Sequence, residues 1–126
     1  MTTWTSEQLA AISAADELHI VPARADGTLR PEVTIWVVRV DDDLYVRTAN
    51  GRGAAWYRHL SATLRGQIRS GGVESDVTVE DASDSTELTA SIQAEYHRKY
   101  DHYGEHVTRG ALSLDAQHAT WRLRPV

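Results

Sequence analysis

The stretch "EVTIWVVRV", residues 32–40, decides the fold because its apolar side chains fall on both faces of a strand. Successive side chains of a strand point to opposite faces. The two faces carry Val33, Ile35 and Val37 on one side and Trp36, Val38 and Val40 on the other. A strand that is apolar on both faces is covered on both faces. The pattern therefore predicts one buried strand at residues 32–40, central in its sheet.

Hairpin signals lie on both sides of this strand. Upstream, residues 17–23 predict a strand, in which Pro22 favours an edge position or a bulge. The turn "RADGTLRP" follows and contains the hairpin dipeptide Asp26-Gly27. Downstream, three consecutive aspartates form a polar turn into a strand at residues 44–49. Strands joined this tightly are antiparallel.

The second half of the chain repeats the hairpin pattern. Residues 64–70 and 73–80 predict two strands joined at Gly71-Gly72, and apolar and polar residues alternate cleanly in the second of them. A last strand is predicted at residues 119–124, where Ala119, Trp121 and Leu123 alternate with polar residues. About six strands in hairpins favour an antiparallel sheet.

Helical patterns separate these strands. Thr5 and Gln8 have capping-box spacing at the start of the first helix. The predicted helices cover residues 5–15, 53–60 and 84–104. Few strand pairs are separated by a crossover helix, so a parallel sheet is disfavoured. The sequence predicts an α+β fold, a small antiparallel barrel with about three helices, because closure removes exposed sheet edges.

The composition is that of one globular domain covering residues 1–126. Hydrophobic residues make up 41% and charged residues 25% of the chain. The net charge of -5 disfavours nucleic acid as a partner. The lack of cysteine excludes disulfides, thiolate metal sites and a cysteine nucleophile. Because neither a membrane-spanning apolar run nor a signal-peptide pattern is present, we expect a cytoplasmic protein without membrane contact.

A strand-to-helix turn at "NGRG", residues 50–53, is the first candidate site. Free N–H groups at a helix start attract anions, glycines allow close approach, and Arg52 adds a charge. The turn is not a dinucleotide fingerprint, because Trp56 stands in place of the third glycine and no parallel βαβ unit surrounds it. Two interpretations stay open: a phosphate site, or a connection whose glycines only permit positive φ.

A tyrosine stripe on the helix predicted at residues 84–104 is the second candidate. Tyr96 and Tyr100 are four residues apart and share one helix face. The spacing favours a core-facing stripe; the alternative is that the hydroxyls reach a cleft, where they stack on a ring or donate a proton. His97 and His102 are turned about 140° apart around a helix, which argues against a shared metal site.

Several segments resemble the deazaflavin-dependent nitroreductases. "AAWYRHL", residues 54–60, resembles their "AWY-x-x-L" segment. "AEYHRKYDHY" (94–103) is similar to their tyrosine-bearing helix, and "ATWRLRP" (119–125) to their closing strand. The whole chain resembles more closely a bacterial family of uncharacterised small proteins, which belongs to the split-barrel superfamily of pyridoxamine phosphate oxidase.

The resemblance implies a six-stranded antiparallel split β-barrel of the FMN-binding type, usually a homodimer. It implies a small oxidoreductase that binds FMN or a deazaflavin and reduces a small molecule by hydride transfer. Tyr96 and Tyr100 are then the catalytic candidates, and no metal ligand is implied. The cofactor-binding candidates are Arg24, Arg30, Thr48, Asn50, Gly51, Arg52, Gly53, Trp56 and Tyr57. The alternative is a non-catalytic split barrel that has lost the cofactor and serves in small-ligand binding or assembly.

Overall fold

The computed structural model describes residues 3–48, 54–83 and 85–126, with the side chains of 105–107 and 115 excepted. The helices are α1 (Ser6–Ala14), α2 (Ala55–Thr63), α3 (Thr86–Tyr100), α4 (Glu105–Leu112) and α5 (Leu114–Gln117). A 3-10 helix, Asp101–Tyr103, connects α3 to α4. The strands are β1 (Leu18–Pro22), β2 (Val33–Ile35), β3 (Val38–Val40), β4 (Asp43–Arg47), β5 (Arg65–Ser70), β6 (Val73–Asp81) and β7 (Thr120–Pro125).

All of these strands belong to one antiparallel sheet with the order β2-β1-β5-β6-β7-β4-β3. The sheet curls into a half-barrel, and helices pack against it. The three predicted hairpins, β1–β2, β3–β4 and β5–β6, are confirmed. Within the described residues the sheet has one strand more than predicted, because the stretch at residues 32–40 forms two strands. No described helix has both the length and the apolar character needed to cross a membrane.

The prediction of one central strand at residues 32–40 is wrong. The segment leaves the sheet after β2, bends at Trp36 and Val37, and re-enters it as β3. β2 pairs only with β1 and β3 only with β4, so the two halves are the opposite ends of the sheet. The alternating residues of this segment are apolar because each set is covered by a different part of the structure. Val37 is fully buried in the core, while Trp36 stacks on Tyr100 with ring centroids 4.0 Å apart.

Helix α3 holds the bend between β2 and β3 at both polar groups of Val37. The Tyr100 hydroxyl accepts a hydrogen bond from the Val37 N–H at 3.1 Å and donates one to the Asp16 carbonyl at 2.7 Å. The Lys99 ammonium donates to the Val37 carbonyl at 2.7 Å. A bend in the middle of an apolar segment would otherwise leave buried backbone groups without partners, which is costly. We call Trp36 and Val37 the corner.

Two hydrophobic cores flank the sheet. The larger one lies inside the curl, where Tyr57 stacks on Trp121 with centroids 5.1 Å apart. The smaller one lies under α3 and α4 and contains Tyr45, Tyr96 and Tyr100. The apolar residues at the corner contribute to both cores, since Val37 belongs to the first and Trp36 packs against the second.

Two local predictions need correction. Pro22 does not mark an edge, because β1 pairs with both β2 and β5. The proline is tolerated as the last residue of its strand, where its carbonyl still accepts the Arg30 N–H at 2.9 Å. The long helix ends at Tyr100 rather than at Gly104, which has φ 96 and is the N-cap residue of α4. Helices α4 and α5 were not predicted, because each is short and lacks a long apolar stripe.

The partly buried ammonium at the corner makes stability depend on pH. Burial lowers the pKa of Lys99 to about 8, whereas an unfolded lysine has a pKa of about 10.4. Between these values the unfolded chain holds a proton that the folded chain has released, so stability rises with pH. We expect the free energy of unfolding of the wild type to rise from pH 8 to pH 10 relative to that of Lys99→Met, measured by urea denaturation.

The matched control is Arg65→Met, which removes an exposed arginine on β5. Arginine does not titrate in this range, and Arg65 is not among the groups that shift the pKa of Lys99. The difference in the free energy of unfolding between the wild type and Arg65→Met should therefore stay constant with pH. Parallel curves for the wild type and Lys99→Met would contradict the assignment.

Candidate functional site

An open cavity of about 540 Å³ lies where the free edge of β2, the end of β4, the start of α2 and helix α4 meet. Ligand pockets in proteins typically measure about 300–1,000 Å³. The described lining residues are Val33, Thr34, Ile35, Trp36, Arg47, Thr48, Ala54, Ala55, Trp56 and Ala111. The wall is mainly apolar, with two indole rings, two threonines and one arginine.

The cavity lies beside the predicted strand-to-helix turn. Thr48 and Ala54 line it, and they flank the turn from either side. The predicted residues Asn50, Gly51, Arg52 and Gly53 lie outside the described residues. Helix α2 begins at Ala55, and no described side chain caps its start. An uncapped helix start has backbone N–H groups available to an anion.

The two aromatic candidates on α2 lie in different places. Trp56 lines the cavity, as does the corner residue Trp36. Tyr57 is buried and stacks on Trp121 inside the curl, and it is not among the described lining residues. The i, i+1 spacing explains the split, because neighbouring residues on a helix point to different sides.

The predicted cations of the first turn lie near α2. Arg24 braces its own turn by donating to the Leu29 carbonyl at 2.8 Å. Burial lowers the pKa of His59, and Arg30, Arg58 and Arg24 lower it further. The Nε of Arg30 is buried without a hydrogen-bond partner among the described residues. We call Arg24, Arg30, Arg58 and His59 the basic cluster. Its nearest member along α2, Arg58, is two residues after Trp56.

Tyr96 and Tyr100 are buried, and neither is among the described lining residues of the cavity. The Tyr96 hydroxyl accepts the backbone N–H of Arg47 at 3.0 Å. Tyr100 holds Val37 in the same way. Burial raises the pKa of both phenols well above the usual value. Both hydroxyls thus hold backbone next to the cavity, and their catalytic role stays a prediction.

Arg47 is the site residue that the sequence interpretation missed. Its side chain is 3% exposed, although arginines in alternating strands are normally solvated. It lies beneath the tyrosine stripe, with its guanidinium carbon 5.3 Å from the centre of the Tyr96 ring. The only sequence signal was its place beside Thr48, at the end of the strand that leads into the turn.

Metal ligands do not converge among the described residues. No group of three His, Asp or Glu side chains there could hold an ion. His97 instead lies on the surface of α3, with its Nδ1 3.0 Å from Asp101 Oδ1.

The curled antiparallel sheet, with a cavity between the free edge of β2, the end of β4 and the start of α2, is a split-barrel-like fold. Residues 8–123 match the model of a family described as an uncharacterized protein conserved in bacteria (DUF2255), and the chain belongs to that family. This confirms the bacterial small-protein family that the resemblance indicated. No curated protein matches the chain.

Solved structures with low sequence identity share the fold. The heme storage protein HutZ from Vibrio cholerae is 15% identical, with a TM-score of 0.69 over 100% of this chain and 92% of that one. An F420-H2 dependent reductase, FDR-A, is 15% identical, with a TM-score of 0.62 over 86% and 94%. A FAD-binding protein from Mesorhizobium loti is 16% identical, with a TM-score of 0.58 over 98% and 91%. At these identities the likeness establishes the fold.

The positions of the two phenols generate a stability prediction. Tyr96→Phe and Tyr100→Phe each leave a buried backbone N–H, of Arg47 or Val37, without its acceptor. Each variant should lower the free energy of unfolding by about 1–3 kcal/mol. The measurement is urea denaturation of both variants against the wild type.

Tyr103→Phe is the control for these variants, because Tyr103 is 42% exposed and its hydroxyl bonds to the Asp16 carboxylate. Its effect should stay within about 0.5 kcal/mol. A Tyr96 or Tyr100 variant with unchanged stability but lost turnover would instead support the catalytic role.

Proposed function

We propose that this protein is a small oxidoreductase that binds FMN or a deazaflavin in the cavity and carries out hydride-transfer reduction of a small molecule. The observation that carries the proposal is the place of the cavity, which opens where β4 leads through the turn into α2. Thr48 and Trp56, both predicted from the sequence, lie in its wall. Relatives in fold that are described as binding FAD or as F420-dependent add support.

The wall suits a flat ring system. Trp36 and Trp56 both line the cavity, and aromatic faces bind flat rings by stacking. Val33, Ile35 and the alanines add apolar surface without filling the space. One face of Trp36 is already fixed against Tyr100, at an interplanar angle of 3°. A ring held there would meet a rigid wall, which lowers the entropy cost of binding.

The mouth of the cavity suits a phosphate. The start of α2, which no described side chain caps, would supply N–H donors, and the sequence before it carries Arg52 between two glycines. The basic cluster adds positive charge near the same helix. Phosphate binds at such helix starts through backbone donors and cations together. The cofactor's phosphate would therefore lie at residues 50–53 and its rings further inside.

The residues of the chain would bind and orient the cofactor and the small molecule. The cofactor, when bound, would supply the hydride transfer. Trp36 and Trp56 would hold the ring plane and exclude water from it. Tyr96 and Tyr100 enter the proposal through the backbone that they hold, at Arg47 and Val37. A proton donated by either phenol would require its hydroxyl to leave that backbone group.

The alternative function is a non-catalytic split barrel that binds another small ligand or serves in assembly. Heme enters as a competing ligand to titrate, because a fold relative is described as a heme storage protein. The described cavity wall contains no histidine that would favour it. The homodimer and the cytoplasmic location stay predictions.

Arg52→Ala tests the proposal at the turn. A charge-assisted hydrogen bond contributes about 1.5–3 kcal/mol, so the variant should bind FMN and deazaflavin roughly tenfold to a hundredfold more weakly. Riboflavin lacks the phosphate and should bind the wild type and the variant about equally. Cofactor fluorescence during titration measures all three affinities.

Arg98→Ala is the matched control, since it removes an exposed arginine on α3. It should leave every affinity unchanged. If Arg52→Ala binds both cofactors like the wild type, or if neither cofactor binds the wild type at tens of micromolar, the turn is only a connection. The non-catalytic function then takes precedence.

A further inference from the structure

One ionisable side chain, Arg47, is present among the described residues that line the cavity. The others are apolar residues and two threonines. The side chain is 3% exposed, so its charge is almost completely removed from bulk water. Burial lowers the pKa of Arg47, but an arginine in a protein keeps its proton. Arg47 therefore gives the cavity a fixed positive charge, and the other described wall residues carry none.

The described hydrogen-bond acceptors around Arg47 are neutral. Nε donates to Thr120 Oγ1 at 3.2 Å and Nη1 to Gln93 Oε1 at 2.6 Å. Longer bonds of 3.4 Å run from Nη1 to the Ala111 carbonyl and from Nη2 to the Thr89 carbonyl. These contacts orient the guanidinium but do not neutralise it. Among the described residues no carboxylate forms an ion pair with Arg47.

Other arginines of the same sheet differ in this respect. Arg122 and Arg124, which are partly buried on β7, both pair with Asp43 and Glu80. These pairs remain partly in water, where a missing partner would cost little. Arg47 is the more buried group, and a buried charge without a counter-charge is strongly unfavourable. A ligand in the cavity can supply the counter-charge that the described residues do not provide.

The geometry also allows Arg47 to favour anionic ligands over neutral ones. Bonds to α3, α4 and β7 hold the guanidinium from several sides, and the Tyr96 ring lies 5.3 Å from its carbon. A charge held this way need not reorganise when a ligand enters, so an anion gains its full interaction. A neutral ligand of the same shape gains nothing from it.

We propose that the cavity selects ligands with a flat apolar body and an anionic oxygen, and that Arg47 supplies the counter-charge. The anionic group lies at the inner wall formed by β4 and α4, apart from the phosphate position at the turn. The inference concerns the cavity of the proposed function and specifies the charge of what enters it. Its test uses aromatic acids rather than flavins, so it can fail while the cofactor proposal stands.

The experiment compares 2-naphthoate with 2-naphthamide, which have the same ring and differ in charge. Each compound is titrated into a mixture of the wild-type protein and the neutral fluorescent probe N-phenyl-1-naphthylamine, and the loss of probe fluorescence measures displacement. We expect naphthoate to bind roughly tenfold more tightly than naphthamide. Equal binding, tighter binding of the amide, or failure of both to displace the probe overturns the proposal, whatever the variants do.

Substitutions of single arginines show which positive charge causes the preference for the acid. Arg47→Met, shown to be folded by circular dichroism, should bind the acid and the amide about equally, and Arg47→Lys should keep part of the preference. Arg98→Met should keep all of it. The preference persisting in folded Arg47→Met would overturn the proposal. So would its loss in Arg58→Met, because the charge would then belong to the basic cluster.

Discussion

The hydrogen bonds from α3 to the backbone of Val37 are the constraint on which the rest of the structure depends. Val37 lies between β2 and β3, the two ends of the sheet order. Tyr100 satisfies its N–H and Lys99 its carbonyl, so the chain can bend inside a buried apolar segment. Because only the corner separates β2 from β3 along the chain, the bend brings the sheet's ends close together. The half-barrel and the gap in it follow from this.

The same helix face also shapes the candidate site. Tyr96, one turn before Tyr100, accepts the N–H of Arg47 at the end of β4. One phenol therefore holds the strand that leads into the turn, and the other holds the strand edge that faces it across the cavity. Most of the described wall residues belong to helices and strands, and buried hydrogen bonds hold the backbone of Arg47 and Val37 beside them. Sites built on rigid elements hold ligand-binding groups in place before the ligand arrives.

The parts of the fold that depend on local patterns were predictable. The hairpins at Asp26-Gly27 and Gly71-Gly72, the capping box at Thr5, and the antiparallel pairing are all present. The division of residues 32–40 into two strands was not predictable from the sequence. A single strand that is buried on both faces has the same apolar pattern as a segment that bends between two hydrophobic cores. Only the contacts with α3, more than 60 residues away, distinguish them.

Part of the candidate site was also predictable from the sequence, and part was not. Thr48 and Trp56 were found because the turn between them has a local signature of glycines and arginine. Arg47 was missed because alternation places a charged residue on the solvated face. Its burial depends on α3 and α4 lying over that face, and α4 has no strong sequence pattern. The tyrosine stripe was identified, but its bonds to backbone required the tertiary structure.

Fluorine NMR of the protein labelled with 5-fluorotryptophan tests the central claim most directly, namely that the gap between β2 and the strand-to-helix turn is the ligand site. The four tryptophans divide into two that line the cavity, Trp36 and Trp56, and two that are buried in the core away from its wall, Trp4 and Trp121. Titration with FMN or a deazaflavin should shift the resonances of Trp36 and Trp56 and leave those of Trp4 and Trp121 in place. Four unchanged resonances, or shifts confined to Trp4 and Trp121, would contradict the account.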